Sequence, residues 1–360
     1  MRLREGLRVV RRSDTEVQVG TDPRWAVRIT DLTPDEVAAL LTADAVPGPS
    51  GADGSTAGRG ALPTHTSRLR AIADQLVAAQ LAHAATDGRP NARSDGRPGG
   101  GIDGRSDGRS DGWSVGRVLR GTGTADAQAW DLVDGTGRDR VAARAQQVVG
   151  VLGLGPTGTT VALALAASGV GTVLVDDARP VRSTDVGGCG YRWSDVGRQR
   201  DAVVARMVRD AAPRVAIEST RVPDLLVVVE HGATDPVRAA DVLATGVPHL
   251  SVVVREADVV VGPLVVDGDG PCLRCLDLHR ADADTAWPAV AEGLSRPARD
   301  GDEVGVLAGI AGGLAAAAAL GFLDRNEPLA ASYEVGLPDA VPRRRDWAVH
   351  PSCGCTAQSI

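Results

Sequence analysis

Two short-spaced cysteine pairs, Cys272-Leu273-Arg274-Cys275 and Cys353-Gly354-Cys355, offer four soft thiolate ligands from distant parts of the chain. Four thiolates complete a tetrahedron around zinc and leave no open position, so the chemistry expected of them is structural. Gly270-Pro271 before the first pair and Gly354 within the second supply tight turns. Such a site would pin the C-terminal tail back onto its domain. His279 and His350 lie close to the pairs, but a completed set of four thiolates does not need them. The fifth cysteine, Cys189, stands in Gly187-Gly188-Cys189-Gly190 with no basic residue nearer than Arg192 to activate it. A second constellation is Gly153-Leu154-Gly155-Pro156-Thr157-Gly158, a G-x-G-x-x-G run. The first glycine permits a tight turn, the second lets a phosphate approach the backbone, and the third allows close helix packing. The helix it opens would offer free N–H groups and partial positive charge to an anion. Asp176, about 20 residues on, is placed to accept ribose hydroxyls. The motif alone does not separate a dinucleotide from ATP, and an inherited turn that binds nothing has the same pattern.

These residues need strands and helices to hold them. The glycine run is preceded by an apolar stretch, Gln147–Leu152, and followed by a helical one near Thr157–Ser168. Strand signals at Val173–Asp176, Leu225–Val229 and Leu250–Val254 alternate with a helix near Gly197–Ala212 and an amphipathic stretch. That alternation predicts a doubly wound, Rossmann-like α/β domain over 140–360, with a mostly parallel sheet covered on both faces. Val304–Leu323, opening after Asp302-Glu303, reads as a buried Gly/Ala-rich helix.

Upstream, residues 1–85 read as a small α+β unit. Short strand signals at 7–10, 17–19 and 25–29 precede a helix with Thr33 as N-cap, Pro34 at its first position and Glu36 completing a capping box. After a Gly/Ser/Pro stretch at 47–60, Leu69, Ile72, Leu76 and Ala79 recur at helical spacing. From 86 to 112 the tripeptide Asp-Gly-Arg recurs four times with Ile102 the one large apolar residue, a composition that predicts a disordered linker. Residues 113–139 are expected to connect it to the α/β domain.

Composition narrows the function classes. The 360 residues suffice for about two domains, and 43% hydrophobic content suffices for their cores. A net charge of -7 without a basic patch argues against nucleic acid and anionic membrane as partners. All 39 basic residues are arginine, so no lysine is available for catalysis. Met1–Val10 is charged and lacks the apolar run of a signal peptide, and no stretch reaches the roughly 18 uninterrupted apolar residues of a membrane span. A cytoplasmic protein with cysteines as ligands rather than disulfides is expected.

The glycine loop, the strand ending in Asp176, Asp195-Val196-Gly197-Arg198-Gln199-Arg200, the Gly270–Cys275 element and Val306-Leu307-Ala308-Gly309-Ile310-Ala311-Gly312 together resemble the ThiF/MoeB/HesA family of ubiquitin-activating-enzyme-like adenylating proteins, over roughly residues 140–355. The resemblance implies ATP on the glycine loop and Asp176, with magnesium held after a later strand, a position that falls at or near Glu230-His231. It also implies a phosphate-neutralising cation at Arg200, where the family has lysine. The C-terminal carboxylate of a small protein or peptide would attack the α-phosphate, giving an acyl-adenylate, and a homodimer would be the working form. The family's D-x-D reads Asp176-Asp177-Ala178 here, and its arginine-bearing stretch is not recognisable. With the small unit in front, the chain is similar to the partner protein of cyclodehydratases that make azole-modified peptides, in which a winged-helix-like unit binds a precursor's leader peptide as an added strand. The first expectation is therefore a degenerate adenylating domain that binds a precursor peptide and supports a partner modifying enzyme. An active adenylyltransferase using Asp176, Arg200 and Glu230 is the alternative, and an NAD-dependent oxidoreductase a remoter one.

Overall fold

The computed structural model describes residues 2–4, 7–22, 24–43, 61–83, 122–295 and 302–356. The Asp-Gly-Arg segment and the Gly/Ser/Pro stretch before it lie outside the described residues.

The N-terminal unit begins with β1 (Arg2–Leu3) and a three-stranded antiparallel meander, β2 (Val9–Arg11), β3 (Val17–Val19) and β4 (Val27–Ile29). Helix α1 (Pro34–Leu41) starts at a complete capping box: the Glu36 N–H donates to Thr33 Oγ1 at 3.3 Å, and the Thr33 N–H donates to Glu36 Oε2 at 2.9 Å. Helix α2 (Ser67–Ala78) buries Leu69, Ile72, Ala73 and Leu76, the i, i+3, i+4, i+7 face that its sequence marks. Strand β5 (Ala82–His83) then returns to pair with β1.

Residues 122–139, expected as part of a connecting segment, and the five residues after them carry two helices, α3 (Thr124–Val133) and α4 (Gly137–Arg144). Neither has an apolar pattern that would announce it. What fixes them is Arg144, whose guanidinium donates to Asp324 at 2.8 and 2.7 Å and to Asp126 at 2.9 Å while almost fully buried.

The second domain continues through β6 (Val148–Leu152), α5 (Pro156–Ala167), β7 (Thr172–Asp176), α6 (Arg200–Ala211), β8 (Leu225–His231), α7 (Pro236–Ala244), β9 (His249–Val254) and β10 (Asp258–Val265). Then come α8 (Leu273–Ala283), α9 (Trp287–Ser295), α10 (Gly305–Arg325), β11 (Ala331–Gly336) and β12 (Arg343–Asp346). Among the described residues these strands form one sheet in the order β12-β11-β10-β9-β8-β6-β7. The expectation of a mostly parallel sheet needs correction. Only β7, β6, β8 and β9 are parallel, whereas β9 through β12 run antiparallel. The second half escapes a sequence reading for physical reasons. In β10 the apolar run is broken by Gly262-Pro263, where the register shifts between Val261 and Leu264. Strand β12 is Arg343-Arg344-Arg345-Asp346, exposed throughout, and has no apolar face to detect.

Strand β6 has its successor β7 on one side and β8 on the other. The chain therefore changes direction across the sheet beside β6, and the ends of β6 and β8 open a crevice there. Against the parallel half, α5 packs face to face with α10, and Val161, Ala162, Leu165, Ala311 and Ala315 are essentially inaccessible. The two helices meet where Gly312 lies over Thr160.

The N-terminal unit docks through Arg12, which donates to Asp284 at 2.9 and 2.6 Å and to Glu16 at 2.9 Å. Glu256, in the β9–β10 turn, accepts the N–H groups of Arg8 and Thr21, both at 2.9 Å. Val10 completes the junction against Val290 and Leu294.

A Cβ at position 312 would lie 2.6 Å from the Thr160 Cβ and 3.0 Å from the Thr157 carbonyl. Gly312→Val should push α10 off α5 and destabilise the domain by about 1–3 kcal/mol, read as a fall in the urea midpoint. An unchanged midpoint would contradict the close packing of the two helices.

Candidate functional site

The glycine run forms the turn from β6 into α5, at the head of the crevice. Gly153 adopts φ +86°, and a side chain there would strike the Val229 carbonyl, 2.3 Å from the Cβ position. At Gly158 an added Cβ would lie 1.9 Å from the Gly153 carbonyl. These two glycines are demanded by the close passage of backbone.

Three backbone N–H groups of the turn have protein partners. Gly153 donates to the Asp176 carbonyl at 3.0 Å and Leu154 to Asp177 Oδ2 at 2.8 Å. The Thr157 N–H and hydroxyl both donate to Glu303 Oε2, at 2.8 and 2.5 Å. Glu303 Oε1 sits 3.1 Å from His231 Nε2 at the end of β8, and its side chain is only 2% exposed. Burial works to raise the Glu303 carboxyl; the bonds from His231 and Thr157 outweigh it and hold the group below the usual carboxylate range.

Asp177 is the second carboxylate on the turn. Desolvation opposes its charge, yet hydrogen bonds from Arg179 and the Leu154 N–H bring its pKa down to about 2. It also meets Arg200, 1% exposed, whose Nη1 lies 3.2 Å from Asp177 Oδ2 and whose Nη2 lies 2.6 Å from Asp185 Oδ2. Tyr191 braces the same turn, its hydroxyl donating to the Leu154 carbonyl at 2.6 Å.

The structure thus brings Gly153, Gly155 and Gly158 together at the head of α5, with Asp176 exposed at the end of β7 beside them. Arg200 is engaged with the buried carboxylates of Asp177 and Asp185. Glu230 is nearly buried on β8, accepting the Asp235 N–H at 3.3 Å and lying 3.6 Å from Arg238. Burial pushes its carboxyl up to about 7. Sequence reasoning noted Asp177 and His231 only through the family motifs, and it missed Asp185 and the role of Glu303. The available signal for Glu303 was an acidic pair set directly before a long apolar helix.

The four thiols converge. Cys272 and Cys275 at the start of α8 have Sγ atoms 3.9 Å apart, with Cys272–Cys353 at 3.5 Å and Cys275–Cys355 at 3.4 Å. All four sulfurs lie within 4.8 Å of one another. Bonds of about 2.3 Å in a tetrahedron place sulfurs roughly 3.8 Å apart, so the cluster fits a metal such as zinc; the separations are far longer than a disulfide bond. The turn is shaped for this, with Gly270 and Gly354 at positive φ and the Cys353 N–H donating to the His350 carbonyl at 2.9 Å. His279 and His350 stand in a separate group with Asp282, where His350 Nε2 pairs with Asp282 at 2.9 Å and its Nδ1 accepts the Ser352 N–H at 3.1 Å.

Replacing Cys272 and Cys353 together by serine should remove one zinc per chain in elemental analysis. It should also lower Tm by about 5–10 °C, the shift expected when about 2–3 kcal/mol is lost from a domain of this size. Equal metal content and an unchanged Tm would show that the cluster holds no ion.

Comparison with known proteins agrees with this geometry. The crystal structure of E. coli MccB with ATP superposes at a TM-score of 0.54, with 14% identity over 98% of this chain and 98% of that one. E. coli MccB with succinimide gives 0.54, with 13% identity over 99% and 98%. The microcin C7 biosynthetic enzyme MccB in complex with N-formylated MccA gives 0.52, with 14% identity over 98% of both chains. At such identities the likeness is one of fold. The search of curated protein sequences gave no match. Residues 128–246, which run from α3 through the glycine turn to α7, match the ThiF family model, and the chain therefore carries a ThiF-family domain.

Proposed function

We propose that this protein binds a precursor peptide through its N-terminal unit and serves a partner modifying enzyme, with adenylation by its own ThiF-like domain shut off. One observation carries the reading. The groups that would receive a nucleotide's phosphates, namely the Leu154 and Thr157 N–H groups and the Arg200 guanidinium, are bound to Asp177, Glu303 and Asp185. Drawing Arg200 out toward a phosphate would break its two buried ion pairs, leaving Asp177 to Arg179 and the Leu154 N–H and Asp185 to Arg182, and a hydrogen bond to a charged group is worth about 1.5–3 kcal/mol. No lysine exists to take its place.

The peptide half of the proposal rests on β4. This half-exposed strand is outermost in its meander and pairs, among the described residues, only with β3. An extended segment could add there by main-chain hydrogen bonds. Close by, a cleft of about 390 Å³ is lined by Leu7, Trp25 and Leu81 with Arg4 and Glu256, and so offers apolar and charged contacts at the domain junction. The likeness to MccB spans the N-terminal unit as well as the ThiF-like domain, and several of those MccB structures hold MccA. The four-cysteine cluster, filled by zinc, would keep the tail in place.

A second reading, ATP-dependent activation of a peptide carboxylate, is favoured by the intact Gly153–Gly158 turn at the strand-order reversal, where E. coli MccB offers an ATP-bound counterpart of the fold. The two readings part in one assay. Full-length protein is titrated with short peptides encoded beside its gene, and the same mixtures are tested for ATP–pyrophosphate exchange. Binding of one peptide without ATP, and exchange at background, is expected. Peptide-dependent exchange would overturn the shut-off half, and failure to bind any of the peptides would overturn the other half.

A further inference from the structure

Glu303 stands where the geometry of the turn would seat an anion. A helix N-terminus is ordinarily capped by the side chain of the residue before it. Here that residue is Gly155, which has none, and the acceptor for the Thr157 N–H arrives from 146 positions further along the chain. Glu303 Oε2 accepts two bonds from Thr157, and Oε1 faces His231 Nε2. A Cβ on Gly155 would lie 2.0 Å from Oε1. The bare α-carbon that in a nucleotide loop admits a phosphate oxygen admits this carboxylate instead.

The carboxylate belongs neither to α5 nor to the sheet. It reaches in from the entry to α10, one residue before that helix's N-cap Val304 and beside the exposed Asp302 and Gly305. Its own backbone is therefore not part of the turn it occupies. Rotation of one side chain would clear the head of α5, while the Asp177–Arg200–Asp185 network beneath stays as it is.

We infer that Glu303 is a built-in latch, which occupies the anion position of the Gly153–Gly158 turn and keeps a phosphate chain off the N-terminus of α5 until it swings away. The inference rests on the shut-off reading above and names the residue that closes the Thr157 side of the turn. A carboxylate and a phosphate cannot share the Thr157 N–H, and their like charges repel. When the latch leaves, Thr157 and His231 remain as donors facing the vacated position.

The test uses full-length, metal-loaded protein with two probes, inorganic tripolyphosphate and ATP, each with magnesium, against wild type, Glu303→Ala and Glu303→Gln. The latch predicts that Glu303→Ala binds tripolyphosphate at least about tenfold more tightly than wild type, with Glu303→Gln between them because it keeps an acceptor for Thr157 but loses the charge. A larger gain for ATP than for tripolyphosphate would add that the released site takes a nucleotide; equal gains would assign it to the phosphate chain alone. If both variants melt near wild type and neither gains affinity, the latch is wrong while the shut-off reading stands on Arg200. If wild type itself binds either probe at micromolar concentration, both are wrong. Should Glu303→Ala fail to fold, the same comparison with Glu303→Gln decides.

Discussion

Backbone N–H groups at the head of a helix must find acceptors, and in this protein those of Leu154 and Thr157 find them in Asp177 and Glu303. Much of the second domain converges on those two bonds. Asp177 follows β7, Glu303 precedes α10, and the turn itself joins β6 to α5. One small region thus ties three separate stretches of chain to the C-terminal edge of the parallel strands. The carboxylates keep their charge although desolvation opposes it, because each is matched by donors: Arg179, the Leu154 N–H and Arg200 for Asp177, and Thr157 with His231 for Glu303. The same arrangement accounts for the glycines. Gly153 and Gly158 let backbone pass backbone, and Gly155 lets a carboxylate approach.

The rest of the molecule frames this region at a distance. Arg12 and Glu256 fasten the N-terminal meander to the α8–α9 corner and the β9–β10 turn, leaving β4 as an outer strand. At the far end, Cys353 and Cys355 bring the tail to Cys272 and Cys275, and Trp347 packs on Ser332 with its indole N–H donating at 2.9 Å. Arg280 and Arg345 lie over the Trp347 ring at 5.7 and 4.2 Å. A metal in the thiol cluster would then hold α8, the tail and the last strands of the sheet as one unit, without touching the glycine turn.

How much of this was legible in the sequence depended on how local each signal is. A glycine run between an apolar strand and a helix is a local pattern, and so is a cysteine pair, so both could be placed before any fold was known. The buried face of α2 follows from helical periodicity, and the long α10 from its Gly/Ala-rich apolar run. What could not be seen depends on pairing across the chain. Strand β12 is all charge, α3 has no buried residue, and β10 is interrupted by Gly262-Pro263. Arg200 shows the limit most clearly. Its motif position points to phosphates, but Asp185, which takes its guanidinium, lies in a loop with no pattern of its own. Glu303 could be noticed as an acidic residue before an apolar helix, yet its partner Thr157 is settled only by the packing of α10 on α5.

The most direct measurement is amide hydrogen exchange at the turn, resolved to single residues in ligand-free protein. The Leu154 and Thr157 amides should be protected to nearly the same degree as the core of β6, because both are bonded to buried carboxylates. Rapid exchange at both positions, in a protein whose β6 amides are protected, would mean that the turn stands open to anions and would contradict the central claim.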